Sequence, residues 1–293
     1  MIIMNILNIK ESNNYIKTLI EKNDPFTIVR LGIGGETYLT FEYIHTNNIN
    51  IRYLHPTFLT LYNAGIYTNN KDLKLIELFC KFYHRAIKDS NSIACFNSNS
   101  LIKIQNWYAQ SCSLKQIHSR SLEPFYAILE NEIPWTHFLK NKKVLIIHPF
   151  VESFKKQLNN NFQIFKHQTI FLPEQQFIFY KPYQTIAGNH IHENWFETFN
   201  LMCDDIKNLD FDIALLGCGG YGLPMCNFIK KNLNKSAIYV GGGLQLLFGI
   251  MGKRWENIPL WKKIIKENNT KFIKPSENEK CKNLNTIEGG CYW

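Results

Sequence analysis

The chain has 293 residues, of which 45% are hydrophobic and 14% aromatic, enough for a core in one large domain or two modest ones. Its 33 Lys and Arg residues against 24 Asp and Glu residues give a formal net charge of +9, which suits an acidic partner. The basic residues form no block of five or six, so no nucleic-acid partner is expected.

The eight cysteines form no C-x-x-C pair, which disfavours a zinc ribbon and favours reduced thiols. The first ten residues lack the basic region of a signal peptide. No run reaches the roughly 20 apolar residues that a membrane span needs. We therefore expect a cytoplasmic protein without a transmembrane segment, and peripheral membrane contact stays open.

The first half of the chain is predicted to alternate strands with helices. Apolar runs predict strands over residues 26–31, 49–53 and 92–96. A helix is predicted from residue 36 to 45, and apolar side chains at helical spacing predict another over 71–89.

The second half alternates more clearly. Strands are predicted at four places, residues 143–148, 168–172, 211–216 and 237–240. Helices are predicted between them, ending near residue 160 and covering 195–208 and 221–231. Such alternation predicts an α/β fold with an open, mostly parallel sheet and helices on both faces.

Ligands of such sheets bind beyond the carboxyl ends of the strands. This rule predicts that four segments meet at one edge, residues 32–36, 148–150, 217–222 and 241–245. The strand end at 148 carries a histidine, for which a base, a ligand-binding group and a buried structural residue all remain open.

The most informative of these segments is residues 217–222, where an apolar strand meets a glycine-rich turn and a helix. Free backbone amides and the helix dipole make such a turn an anion site, which predicts a small anionic ligand such as a nucleotide derivative. The G-x-G-x-x-G spacing is present, but no acid follows about 20 residues later, which disfavours NAD. The candidate binding residues here are Gly217, Gly219, Gly220, Tyr221 and Gly222.

Two further segments carry charged residues that are candidates for binding a ligand. Arg30 ends the first strand and can bind phosphate, while Glu36 follows a glycine turn and can hold a divalent cation or act as a base. An Arg–Glu ion pair at a helix start is the alternative. Lys253 and Arg254 follow the glycine triplet 241–243 and could clamp a diphosphate; the alternative is a basic helix C-terminus.

These segments together resemble a known family. The resemblance covers residues 30–36, 63–67, 143–150, 211–224, 245–255 and 288–293, nearly the whole chain. They are similar to the GT-D fold-like proteins of bacterial surface-polysaccharide loci and some large viruses. That group resembles the GT-D glycosyltransferases, whose signature is Arg-x-Gly-Asp-Gly-Glu.

The signature is incomplete in this chain. Gly34 stands two residues before Glu36 where the enzymes have Asp, and one extra residue lies between Gly32 and Glu36. Only Arg30, Gly32 and Glu36 carry over, so one carboxylate remains for a metal, which seldom suffices unless phosphates and waters complete the shell.

The resemblance implies a Rossmann-like sheet and a single domain over 1–293, with the signature loop in the half 1–140 and the glycine-rich loops in the half 141–293. It also implies a nucleotide-sugar donor, a glycan or polysaccharide acceptor and a divalent metal, Mn or Mg. Glu36 would serve as metal ligand and catalytic group. Arg30, Gly32, the loop 217–222, Gln245, Lys253 and Arg254 would bind the donor.

Two other functions remain open from the sequence. The late glycine loop could bind S-adenosylmethionine in a methyltransferase-like enzyme, although such enzymes usually carry the loop in the first βα unit. Alternatively, the chain could be a non-catalytic nucleotide-binding relative that has lost the metal-binding acid.

Overall fold

The computed structural model describes residues 6–33, 35–47, 61–68, 72–97 and 99–293. Seven strands of this part form one sheet, in which all neighbouring strands are parallel. They are β1 (Thr27–Arg30), β2 (Ser92–Cys95), β3 (Lys115–His118), β4 (Lys143–Ile147), β5 (Gln176–Tyr180), β6 (Ile213–Leu216) and β7 (Ser236–Tyr239). The predicted α/β fold with a parallel sheet is thereby confirmed.

Helices cover both faces of this sheet. They are α1 (Ile9–Lys22), α2 (Gly35–Thr46), α3 (Leu73–Lys88), α4 (Asn99–Ser111), α5 (Phe125–Leu129), α6 (Val151–Asn159), α7 (Trp195–Ile206), α8 (Gly222–Leu233), α9 (Leu244–Leu247), α10 (Lys253–Glu256) and α11 (Pro259–Asn268).

Two apolar cores lie on opposite faces of the sheet because neighbouring side chains of a strand point in opposite directions. Val29 belongs to the core formed with α2, α3, α7 and α8. Ile28, the adjacent residue, belongs to the core formed with α1, α5, α6 and α11. Strands buried on both faces consist of nearly continuous apolar residues, as in β4 and β6.

Asparagine and aspartate residues set several helix ends. Asn8 and Glu11 form a capping box at the start of α1, and Asp72 caps α3. Asn23, Asn234 and Asn269 end α1, α8 and α11 in the left-handed conformation that asparagine tolerates better than most residues.

The order of the strands creates a crevice. It is β3-β2-β1-β7-β6-β4-β5, so the chain leaves β4 toward the outer strand β5 and leaves β6 in the opposite direction, toward β7. Where the connections that leave two adjacent strands run in opposite directions, an open α/β sheet has its ligand crevice at the carboxyl ends of the strands. Strands from both halves of the chain meet in this sheet, since β1 pairs with β7.

The prediction of a strand over residues 168–172 is wrong. Thr136 Oγ1 donates to the carbonyl oxygen of Ile170, His137 Nε2 contacts the carbonyl oxygen of Thr169 at 2.8 Å, and the backbone N–H of Leu172 donates to Gln175 Oε1 at 2.9 Å. Side chains thus bind the backbone groups that a strand would use, and the strand forms at β5 instead.

Other differences concern elements that the sequence analysis did not predict. The additional elements are strand β3 and helices α1, α4, α5, α9, α10 and α11. The predicted strand over 49–53 lies outside the described residues.

The contact between α8 and β7 is testable at Gly222. A Cβ atom there would lie 2.1 Å from Cε2 of Tyr239, although the backbone of Gly222 is helical, with φ −58°. Helix propensity alone would make Gly222→Ala stabilising. We expect the clash to prevail and to lower the free energy of unfolding by about 1–3 kcal/mol, measured by urea denaturation.

The partner ring provides the control. In a Tyr239→Leu background, Gly222→Ala should cost less than it does in the original chain, because the clashing ring atoms are gone. An equal loss in both backgrounds would contradict the proposed contact.

Candidate functional site

A cleft with a volume of about 400 Å³ opens at the carboxyl ends of the strands. The loops after β1, β4, β6 and β7 all contribute to its lining. Of the residues predicted from the sequence, it brings together Arg30, Gly32, Glu36, Gly217, Gly219, Tyr221, Gln245 and Arg254.

Three predicted residues do not line this cleft. Gly220 packs where a Cβ atom would lie 2.7 Å from Ile66, and Gly222 packs against the ring of Tyr239. Lys253 is exposed, and its Nζ atom lies 3.4 Å from the carbonyl oxygen of Gly289. The absence of a side chain at both glycines therefore serves packing within the protein.

Arg30 has its partners within the protein. Its Nη1 atom donates to Glu123 Oε1 at 3.2 Å and to the carbonyl oxygen of Val240 at 3.0 Å. Its guanidinium group also lies 4.6 Å from the centroid of Phe96. Burial raises the pKa of Glu123, while the neighbouring Arg30 opposes that shift.

The glycine triplet makes room for these side chains. Gly241 has φ +73°, which favours glycine. A Cβ atom at Gly242 would lie 2.5 Å from the ring of Tyr292, and one at Gly243 would lie 2.3 Å from Glu123 Oε1. The triplet thus allows both the acid that pairs with Arg30 and a C-terminal tyrosine to approach the backbone.

Arg254, in the C-terminal part of the chain, also lines the cleft. Gly252 precedes α10, so Lys253 and Arg254 are the first two residues of a helix that is a single turn long. The guanidinium group pairs with Glu288, donates to the hydroxyl of Tyr292 at 3.1 Å and lies 4.6 Å from that ring's centroid. Its side chain remains one-third exposed, with Glu288 61% exposed.

Glu36 is buried at the start of α2. A Cβ atom at Gly32 would lie 1.7 Å from Glu36 Oε1, so the glycine turn admits the carboxyl group. Oε2 has no hydrogen-bond partner in the described part of the chain. Burial raises the pKa of Glu36 to about 7, so both protonation states are populated near neutral pH.

The residues present do not fit a divalent-cation site. No group of three or more His, Cys, Asp or Glu side chains that could hold a metal occurs in the described part of the chain. The residues outside that part contain no Asp or Glu. Mg²⁺ and Mn²⁺ bind best to several oxygen ligands, and Glu36 offers a single carboxylate.

Three backbone amides of the loop after β6 have partners, beginning with Gly217 N–H, which donates to the carbonyl oxygen of Ile147 at 2.9 Å. Tyr221 N–H donates to the carbonyl oxygen of Cys218 at 3.3 Å, and Gly222 N–H donates to that of Gly219. Gly219 has φ +58°, a conformation that glycine adopts readily. Burial raises the pKa of Cys218 to about 12, which argues against a thiolate nucleophile.

His148 follows β4 and lines the cleft, although only 3% of it is exposed. The backbone N–H of Phe150 donates to His148 Nδ1 at 3.0 Å. Burial lowers the pKa of His148 to about 3, so the ring is neutral and carries its proton on Nε2. In this tautomer Nε2 is a donor and is not available as a base.

The sequence did not indicate two glutamates and one tyrosine that contact the arginines of the cleft. Glu123 pairs with Arg30 across 93 positions, and no local pattern indicates this contact. Glu288 and Tyr292, in the C-terminal segment, contact Arg254. The conspicuous glycine triplet was the available signal that bulky groups approach the backbone here.

The burial of Glu36 predicts how stability depends on pH. Its pKa is about 7 in the folded protein against an ordinary value of 4.5, so the folded state retains a proton that the unfolded state has lost between these values. The free energy of unfolding should therefore fall as the pH rises from about 4.5 to 7, by about 3 kcal/mol in total. Glu36→Gln should abolish this part of the dependence.

The measurement is urea denaturation of both proteins at several pH values. The stability of Glu36→Gln relative to the original chain should rise between about pH 4.5 and 7 and then level off. A difference that does not change with pH would show that the carboxyl group of Glu36 is not buried as described.

No helix in the described ranges is both long and apolar enough to cross a membrane. No curated protein and no solved structure gives a match to the chain. A family model described as a GT-D fold-like domain does match, over residues 7–247, which is most of the chain and runs from α1 through all seven strands to the end of α9. The chain therefore belongs to the family of GT-D fold-like domains.

Proposed function

We propose that this protein is a glycosyltransferase that moves a sugar from a nucleotide diphosphate donor to a hydroxyl group of a glycan or polysaccharide acceptor. The observation that supports it is that Arg30, Arg254 and Glu36 line one cleft at the carboxyl ends of the strands. Membership of a glycosyltransferase-related family supports the same chemistry. All eight cysteines are free, which suits a reducing compartment, so we place the reaction in the cytoplasm.

In the proposed reaction, the bond between the anomeric carbon and the diphosphate oxygen breaks while the acceptor oxygen forms a bond to that carbon. The acceptor hydroxyl loses its proton, and the diphosphate leaves with the bonding electrons. Glu36 is the group that we assign to accept the proton. A carboxyl group with a pKa of about 7 suits a general base at neutral pH.

Arg254 is the cation that we assign to the leaving diphosphate. Its partner Glu288 is mostly exposed, and an exposed ion pair contributes little stability, so a diphosphate can replace that carboxylate at low cost. The pair of Arg30 with Glu123 is much more buried, and separating it would leave a buried charge without a partner. Arg30 would therefore stay paired with Glu123 and contribute a positive charge at a fixed position in the cleft.

A second candidate function is nucleotide binding without catalysis. The observation that favours it is the single carboxylate at the signature loop, which does not fit a metal site. The two candidates share the ligand and differ in turnover.

Binding is tested by thermal unfolding and calorimetry with UDP-glucose, UDP-N-acetylglucosamine and GDP-mannose. A ligand of the folded state should raise the melting temperature. Arg254→Gln should weaken the binding of the nucleotide part by roughly tenfold, because a charge-assisted contact to the diphosphate is lost. Lys253→Gln is the matched control: it removes the neighbouring positive charge outside the cleft and should bind normally.

Turnover is tested by donor hydrolysis and transfer. Glu36→Gln should retain donor binding and lose transfer to sugar acceptors. Equal turnover by this variant would refute the role of Glu36. Binding without turnover under any condition would favour the non-catalytic candidate, and saturable binding of S-adenosylmethionine with none of the nucleotide sugars would refute the proposal.

A further inference from the structure

Hydrogen-bonding groups without partners are concentrated in the cleft. Among the described residues, eight buried side-chain polar atoms lack a partner. Half of them belong to residues that line the cleft, namely Glu36 Oε2, Asn63 Oδ1, Gln184 Nε2 and Gln245 Oε1. Buried polar groups nearly always have partners, so such a concentration indicates a polar ligand.

The amide of Gln245 has a fixed direction. The side chain is fully buried, and its Nε2 atom donates to the carbonyl oxygens of Tyr292 at 3.0 Å and Ile250 at 3.3 Å. The reversed amide would place its oxygen against these two acceptors, which excludes that orientation. Oε1 is therefore an acceptor that remains unpaired.

His148 supplies a donor of equally fixed direction. The contact from Phe150 N–H to Nδ1 leaves the proton on Nε2. The ring edge that carries Cδ2 and Nε2 lies against Gly217, where a Cβ atom would be 2.7 Å and 3.3 Å from these atoms. Phe150 and Phe154 hold the ring from the apolar side, with centroids 4.9 Å and 4.8 Å away.

The available groups differ from what a phosphate needs. A phosphate oxygen only accepts hydrogen bonds, and an unpaired amide oxygen such as Gln245 Oε1 would repel it. A sugar hydroxyl both donates and accepts, so it can satisfy an acceptor at Gln245 and a donor at His148. The positive charges of the cleft already have partners at Glu123 and Glu288.

We propose that Gln245 Oε1 and His148 Nε2 bind hydroxyl groups of the donor's sugar, the first by accepting a hydrogen bond and the second by donating one. This inference rests on the proposed function and assigns the sugar to the buried polar groups of the cleft. The diphosphate then lies toward Arg254, whose side chain is one-third exposed.

The test compares the affinity of UDP with those of UDP-glucose and UDP-N-acetylglucosamine by calorimetry. At least one of the two nucleotide sugars should bind roughly tenfold more tightly than UDP, because only the hydroxyl groups of its sugar can pair with Gln245 Oε1 and His148 Nε2. Deoxyfluoro analogues of that nucleotide sugar, in which fluorine replaces one hydroxyl at a time, should lose this gain at one position or more, because fluorine cannot donate a proton.

A pair of variants tests His148. His148→Phe retains a planar ring between Phe150 and Phe154 but has no hydrogen-bond donor. It should lose most of the difference in affinity between the nucleotide sugar and UDP, while its affinity for UDP stays the same. His84→Phe is the matched control, because His84 lies in α3, outside the cleft lining, and contacts the hydroxyl of Tyr108. It should leave both affinities unchanged.

The outcomes separate this inference from the proposed function. If UDP binds as tightly as every nucleotide sugar and every fluorinated analogue, the sugar subsite is refuted while nucleotide binding stands. If His148→Phe weakens UDP and UDP-sugars equally, the role of His148 is refuted. If neither UDP nor any nucleotide sugar binds, both proposals are refuted.

Discussion

The close meeting of three strand ends at Gly217 is the constraint on which the cleft depends. A Cβ atom there would lie 2.7 Å from the ring of His148 and 2.8 Å from the carbonyl oxygen of Gly241, so the loops after β4, β6 and β7 can meet only around a glycine. This contact lies where the connections from β4 and β6 diverge. It fixes the position of His148 and brings Gly241 alongside Arg30.

The charge of the cleft is more balanced than the net charge of the chain suggests. The formal charge of +9 favours an anionic ligand, yet each arginine of the cleft contacts a carboxylate. What distinguishes the two pairs is their exposure, because the cost of separating an ion pair rises with its burial. The proposed affinity for a diphosphate therefore depends on how readily Glu288 leaves Arg254.

Residues beyond the matched family region form one wall of the cleft. The match ends at residue 247, whereas Arg254, Glu288, Tyr292 and Trp293 also line the cleft. This wall is held by backbone contacts, since Lys253 N–H donates to the carbonyl oxygen of Trp293 and Arg254 N–H to that of Cys291. The family match thus covers the strand ends, and residues beyond it complete the lining of the cleft.

The sequence alone determined the parallel α/β sheet, since buried strands and helices have distinct apolar periods, and it placed Arg30 at the end of a strand and Glu36 after the glycine turn that follows. It failed at residues 168–172, where distant side chains bind the backbone. Only the tertiary structure decided that Glu123 pairs with Arg30 and that Gly222 serves packing, because contacts between residues far apart in sequence leave no local pattern.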